Sequence, residues 1–81
     1  MTITYLLTTG TDYEGEDPRG LYSTMKKAVE EANKIKPKDT YGDTLNIYVV
    51  EVDYDYDYSL PCIWSKRIAS GKMLIGNEDG E

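Results

Sequence analysis

Three aspartates at alternate positions, Asp53, Asp55 and Asp57, are interleaved with Tyr54, Tyr56 and Tyr58. On an extended strand the three carboxylates stand in a row, about 6.5–7 Å apart. Such a row can hold a cation, bind a basic partner or simply stay solvated. The pattern Asp-x-Asp-x-Asp begins like a calcium loop, but that loop needs Gly at its sixth position and Glu at its twelfth. This chain has Tyr58 and Trp64 there, so no metal is expected. The repeat also resembles the spacing of phosphates along one nucleic-acid strand. With Asp12, Glu14, Glu16, Asp17 and Asp43, the surface could imitate a phosphate backbone, and the tyrosine rings would serve as anchors. The bland alternative is a charged face that keeps an edge strand from pairing with other chains.

A second group lies in the segment Gly10–Gly20, read as a loop because it holds Gly10, Gly15, Pro18 and Gly20. Its candidates for binding are Asp12, Tyr13, Glu14, Glu16, Asp17 and Arg19. Long loops in small domains often carry function. No lysine follows the glycines and no helix starts there, so this is not a phosphate-binding loop. Lys26 and Lys27 start the next helix and could approach an anion beside free N–H groups, but ordinary surface lysines are the favoured reading.

Catalytic sets are missing. The chain has no histidine, the commonest general base, and one cysteine, Cys62, with no such base to activate it. Cys62 reads as a small buried hydrophobe and Trp64 as a core residue. No pair of carboxylates is singled out for acid–base work. The sequence predicts a protein that is not an enzyme and takes no cofactor.

The elements that must carry these residues follow from periodicity. Thr2–Thr9 alternates as a strand with Ile3, Tyr5 and Leu7 on one face. Gly20-Leu21-Tyr22 is a short extended lead-in. Ser23 or Thr24 caps a helix whose Met25, Ala28, Val29, Ala32 and Ile35 form one apolar stripe. Glu30 and Lys34 are spaced as an i,i+4 pair, and Pro37 ends the helix. Leu45–Tyr54 is the clearest strand. Beyond Val50 only its even positions stay apolar, which directs the even face toward the helix. Cys62–Ala69 is another strand, with Cys62, Trp64 and Ile68 on a common face. Lys72–Ile75 leaves room for a fifth short one, and residues 77–81 are a frayed polar tail. The expected fold is one α+β domain over residues 1–81, ordered β-β-α-β-β with an optional last strand. One amphipathic helix packs on a mostly antiparallel sheet. Its core should unite Val29, Ala32, Val50, Val52 and Trp64 with Ile3, Tyr5 and Leu7.

The run Gly20-Leu21-Tyr22-Ser23-Thr24-Met25-Lys26-Lys27-Ala28, followed by Ile47-Tyr48-Val49-Val50-Glu51-Val52-Asp53, resembles small uncharacterised bacterial and phage domains. The resemblance covers about residues 1–57. It implies a strand-strand-helix-strand domain and a phage or mobile-element setting, and it implies no activity.

Composition bounds the rest. Eighty-one residues suit a single core, and the net charge of −6 disfavours direct binding to nucleic acid or anionic lipid. A lone cysteine excludes an internal disulfide. Met1-Thr2-Ile3-Thr4-Tyr5 lacks the basic start of a signal peptide, and no apolar stretch approaches a membrane span. A cytoplasmic chain is expected, in the host cytoplasm if phage-encoded. Two functional classes are left. One is a small acidic interaction protein that binds, and can inhibit, a basic host protein that handles nucleic acid or nucleotides. The other is a small-ligand or nucleotide-binding module built from the Gly10–Gly20 loop and the helix N-terminus. Tyrosine-rich strand edges further predict a homodimer.

Overall fold

Alternating Thr, Tyr and Leu residues make the first strand, β1, Ile3–Thr11. The computed structural model describes residues 3–11, 15–40, 42–51 and 61–78. The chain continues through β2 (Gly15–Tyr22), α1 (Met25–Lys34), a 3-10 turn (Pro37–Asp39), β3 (Thr44–Glu51), β4 (Cys62–Arg67) and β5 (Met73–Ile75). All pairings are antiparallel and the sheet order is β2-β1-β3-β4-β5. The fold is the expected α+β arrangement, and the optional fifth strand is present. No helix among the described residues is long and apolar enough to cross a membrane.

The helix forms where its pattern places it. Thr24 is extended, and its hydroxyl accepts the Lys27 N–H at 3.1 Å, which closes one of the free donors of the first turn. Ala28, Val29 and Ala32 are buried on the stripe, with Met25 and Ile35 partly buried against the same core. The surface pairing differs from the expected Glu30–Lys34 bridge. Glu31 sits between Lys27 and Lys34, with both Nζ atoms 3.0 Å from its Oε1.

The segment expected to be a loop is largely strand. Gly15 turns the chain at φ +87, and Glu16 through Tyr22 then run along β1. Pro18 and Gly20 are tolerated because β2 is an edge strand with a bulge. Leu7 pairs with Gly20 and Thr8 with Pro18, so Arg19 is the extra residue. A side chain at Gly20 would run into the Tyr22 ring, which folds back over that position.

The expected facing of β3 is reversed. Its odd residues, Leu45 and Ile47, lie in the core with Leu7 and Trp64, while Asn46, Tyr48 and Val50 take the opposite face. The register Leu7↔Ile47↔Trp64 sets this. A strand centre that is apolar on both sides does not reveal which side the helix covers. The expected core therefore holds for Val29, Ala32, Trp64 and Leu7, with Tyr5 packed at its margin. Val50 is only half-buried and Ile3 is 47% exposed. Val52 lies outside the described residues.

Cys62 and Trp64 are also separated. A register shift pairs Ile47 with Trp64 but Tyr48 with Cys62, so Ile63 is skipped and Cys62 falls on the face away from the helix. The fully buried Trp64 needs a partner for its indole N–H. The backbone carbonyl of Asn77 supplies it at 2.8 Å, so the first residue of the expected frayed tail is tied to the core.

Candidate functional site

The single helix covers one face of the five-stranded sheet. The other face is assembled from β1, β2, β3 and β4 by cross-strand pairing, which brings Thr8, Glu16, Asn46, Tyr48 and Ser65 together. Glu16 is the hub. Its Oε1 accepts from the Thr8 hydroxyl at 2.8 Å, the Asn46 Nδ2 at 2.9 Å and the Tyr48 hydroxyl at 2.6 Å, and the same hydroxyl lies 2.6 Å from Oε2. The Asn46 Oδ1 in turn accepts from the Ser65 hydroxyl at 2.7 Å, and its Nδ2 also reaches the Thr44 Oγ1. Thr8, Asn46 and Ser65 are buried, so their polar atoms require these partners.

The carboxylate at the centre is held by neutral groups. Among the described residues, every group that donates to Glu16 is a neutral hydroxyl or amide. These three donors orient it and hold it in place. Tyr48 stays protonated. Burial, then the hydrogen bond and charge of Glu16, push its hydroxyl well above the ordinary tyrosine value. Burial likewise pushes up the thiol of Cys62, which is free and partly buried beside this network. A thiol held in its protonated form is a poor nucleophile. Exposed apolar residues stand nearby on the sheet: Leu21, opposite Leu6, and Ile75, opposite Ser65.

The sequence candidates are distributed unevenly over this geometry. Glu16 joins the network, and it does so from a strand rather than from a loop. Arg19 goes to the other face, where its Nε donates to the buried Thr9 hydroxyl at 3.1 Å. There it lines a cleft of about 250 Å³ with Leu7, Tyr22, Glu31, Lys34 and Ile35. Asp17 is exposed on β2 opposite Thr9. Asp12, Tyr13 and Glu14, and the whole stripe Asp53, Tyr54, Asp55, Tyr56, Asp57 and Tyr58, lie outside the described residues. The expected meeting of the Gly10–Gly20 segment with the helix N-terminus is not formed at the Gly15 end. The length of β2, about 20 Å, separates Gly15 from the residues that lead into the helix. The cleft beside Arg19 instead meets the second half of the helix.

Asn46, Ser65, Thr8 and Tyr48 were not candidates on sequence grounds. The available signal was a polar residue inside an apolar strand, Asn46 between Leu45 and Ile47, which needs a partner once buried. Among the described residues, no group of three or more His, Cys, Asp or Glu side chains could hold a metal ion.

The fold and this face define a small α+β domain with one sheet surface covered by the helix and, among the described residues, one surface without a helix. A family model for a domain of unknown function (DUF7336) matches residues 1–60, and the chain belongs to that family. The match spans β1, β2, α1 and β3, while β4 with its core Trp64 follows it. No curated protein and no solved structure matches the chain significantly.

Proposed function

We propose that this chain is a small acidic interaction protein that docks a basic protein on the helix-free face of its sheet. The observation that carries this reading is the Glu16 carboxylate. It is exposed, held by three neutral donors and uncompensated by any cation among the described residues. A fixed charge of this kind favours an incoming lysine or arginine, because no reorganisation is needed when the pair forms. Leu21 and Ile75 offer apolar contacts at the sides, and the net charge of −6 steers a basic partner from a distance. The acidic stripe Asp53, Asp55 and Asp57 extends the same preference in sequence. In the phage setting that the resemblance implies, the partner is a host protein that handles nucleic acid or nucleotides, met in the host cytoplasm and inhibited by occupation of its basic surface. A homodimer through a strand edge belongs to the same proposal, and light scattering that returns the mass of one chain would remove it.

Affinity capture on the immobilised chain, followed by titration of the captured partner, tests this function. A basic partner should bind more weakly as salt rises. Glu16→Gln should lower its affinity by about tenfold at low salt, as expected for losing one preorganised charge contact. Asp53→Asn, Asp55→Asn and Asp57→Asn together should slow association. A partner held equally well by the parent, by Glu16→Gln and by the triple variant at every salt concentration would overturn the reading.

A further inference from the structure

Arg19 is the residue that the bulge in β2 sets out of register, between Gly20 opposite Leu7 and Pro18 opposite Thr8. A bulge re-aims the side chain of its extra residue, and here the guanidinium lies on the helix side of the sheet. Its Nε donates to the hydroxyl of the buried Thr9 at 3.1 Å, which fixes the head of an otherwise exposed side chain. Only the Nε donor is used in this way. Among the described residues the two Nη groups make no hydrogen bond and no ion pair. That is unexpected in a chain with 15 acids against 9 bases.

The recess beside this guanidinium is built from separate devices. Arg19 lines the cleft of about 250 Å³ together with Leu7, Tyr22, Glu31, Lys34 and Ile35. Two acids share that side of the sheet, Glu31 in the cleft and Asp17 opposite Thr9, yet neither forms a salt bridge with Arg19. Glu31 is already occupied, since the Nζ atoms of Lys27 and Lys34 both lie 3.0 Å from its Oε1. The two lysines neutralise the acid and leave the arginine without a counter-ion. The other walls are apolar: Leu7 is buried, and Tyr22 and Ile35 pack partly buried against the same core. Tyr22 can take this place because residue 20 is a glycine, where any Cβ would run into its ring. Bulge, buried anchor and glycine thus combine a fixed guanidinium with an apolar wall.

We propose that this cleft binds a small organic carboxylate, with the carboxylate on the Nη fork of Arg19 and an apolar or aromatic body against Leu7, Tyr22 and Ile35. Two parallel N–H donors match two carboxylate oxygens, and charge-assisted pairs of this kind are the strong hydrogen bonds. A phosphate dianion fits less well, because its second charge would stand against Glu31. The volume lies just below the usual range for drug-sized ligands, which limits the guest to a small molecule. The site lies on the helix side, away from Glu16, and stands independently of the docking face.

Titration of the full chain, labelled with nitrogen-15, with phenylacetate, acetate, benzyl alcohol and phenyl phosphate tests the proposal. Phenylacetate should shift the amides of Arg19, Gly20, Tyr22 and Ile35, and should bind about tenfold more tightly than each of the other three. Arg19→Gln removes the charge and should weaken phenylacetate by about tenfold. Arg19→Lys keeps the charge but loses the fork, and should weaken it by about fivefold. Thr9→Val keeps Arg19 and removes its anchor, which should also lower affinity and gives the reading if neither arginine variant folds. Absence of shifts at the cleft, acetate or benzyl alcohol bound as tightly as phenylacetate, phenyl phosphate bound as tightly or more so, or unchanged affinity in any of these variants once folded would each overturn it.

Discussion

The two faces of the sheet follow different rules of assembly. Under the helix, Leu7, Leu45, Ile47 and Trp64 meet Ala28, Val29 and Ala32, and all are buried. Shape and apolar area hold that side together, and among the described residues its buried polar groups are closed locally, the Trp64 N–H by the Asn77 carbonyl and the Thr9 hydroxyl by Arg19. On the opposite face the buried atoms are polar. Thr8, Asn46 and Ser65 are satisfied through each other and through the exposed Glu16, so that side is ordered by hydrogen bonds around a charge. A domain of this length has room for one apolar core. The second face is thereby released from packing and can present a fixed polar pattern to a partner.

The largest expected effect lies under the helix. Trp64→Ala should cost about 3–5 kcal/mol, and Ile47→Asp at least as much, because a charge would be buried without a partner. Either should leave a domain of this size unfolded in thermal or urea melts. Val50→Asp is the contrasting variant. Val50 is half-buried on the open face, so the change should cost only about 1–2 kcal/mol and leave a cooperative transition. Unfolding by Val50→Asp as complete as by Ile47→Asp would erase the distinction between the faces.

Next in size is the polar hub. Asn46→Ala removes the acceptor of the Ser65 hydroxyl and a donor to Glu16, and should cost about 1–3 kcal/mol. An unchanged urea midpoint would mean that the network contributes nothing to stability.

Smallest at neutral pH is Tyr48→Phe, at about 1 kcal/mol. Its effect is larger on the pH profile. The folded state holds the Tyr48 proton more tightly than the unfolded chain does, so this contribution is fully present below the ordinary tyrosine value of about 10 and is lost as pH rises beyond it. Cys62, raised in the same direction, starts its loss from about pH 8.5. Urea midpoints should therefore fall on the alkaline side. Tyr48→Phe should flatten the upper part of that fall and Cys62→Ala the lower part. A parent profile level to pH 11 would contradict the environment described for both groups.

Local signals were legible wherever one element decides its own structure. Thr24, the stripe Met25–Ile35 and Pro37 specify the helix with no help from the sheet, because capping, a period of 3.6 and a missing N–H all act within a few residues. The alternation of β1 and the sheet-forming centre of β3 were equally plain, and so was the α+β class. The charge of −6 and the absence of histidine are properties of composition alone. What required the tertiary structure was every choice made between elements. Pro18 and Gly20 look like a loop until an edge position and a bulge accommodate them. Leu45-Asn46-Ile47-Tyr48-Val49-Val50 is apolar enough on both sides that only pairing with Leu7 and Trp64 decides which side is buried. Glu16 was one acid among four until residues 8, 46 and 48 closed on it from two other strands. A hydrogen bond between positions 30 or 32 residues apart leaves no period in the sequence, since its cost and benefit are settled by the register of strands and not by neighbours along the chain.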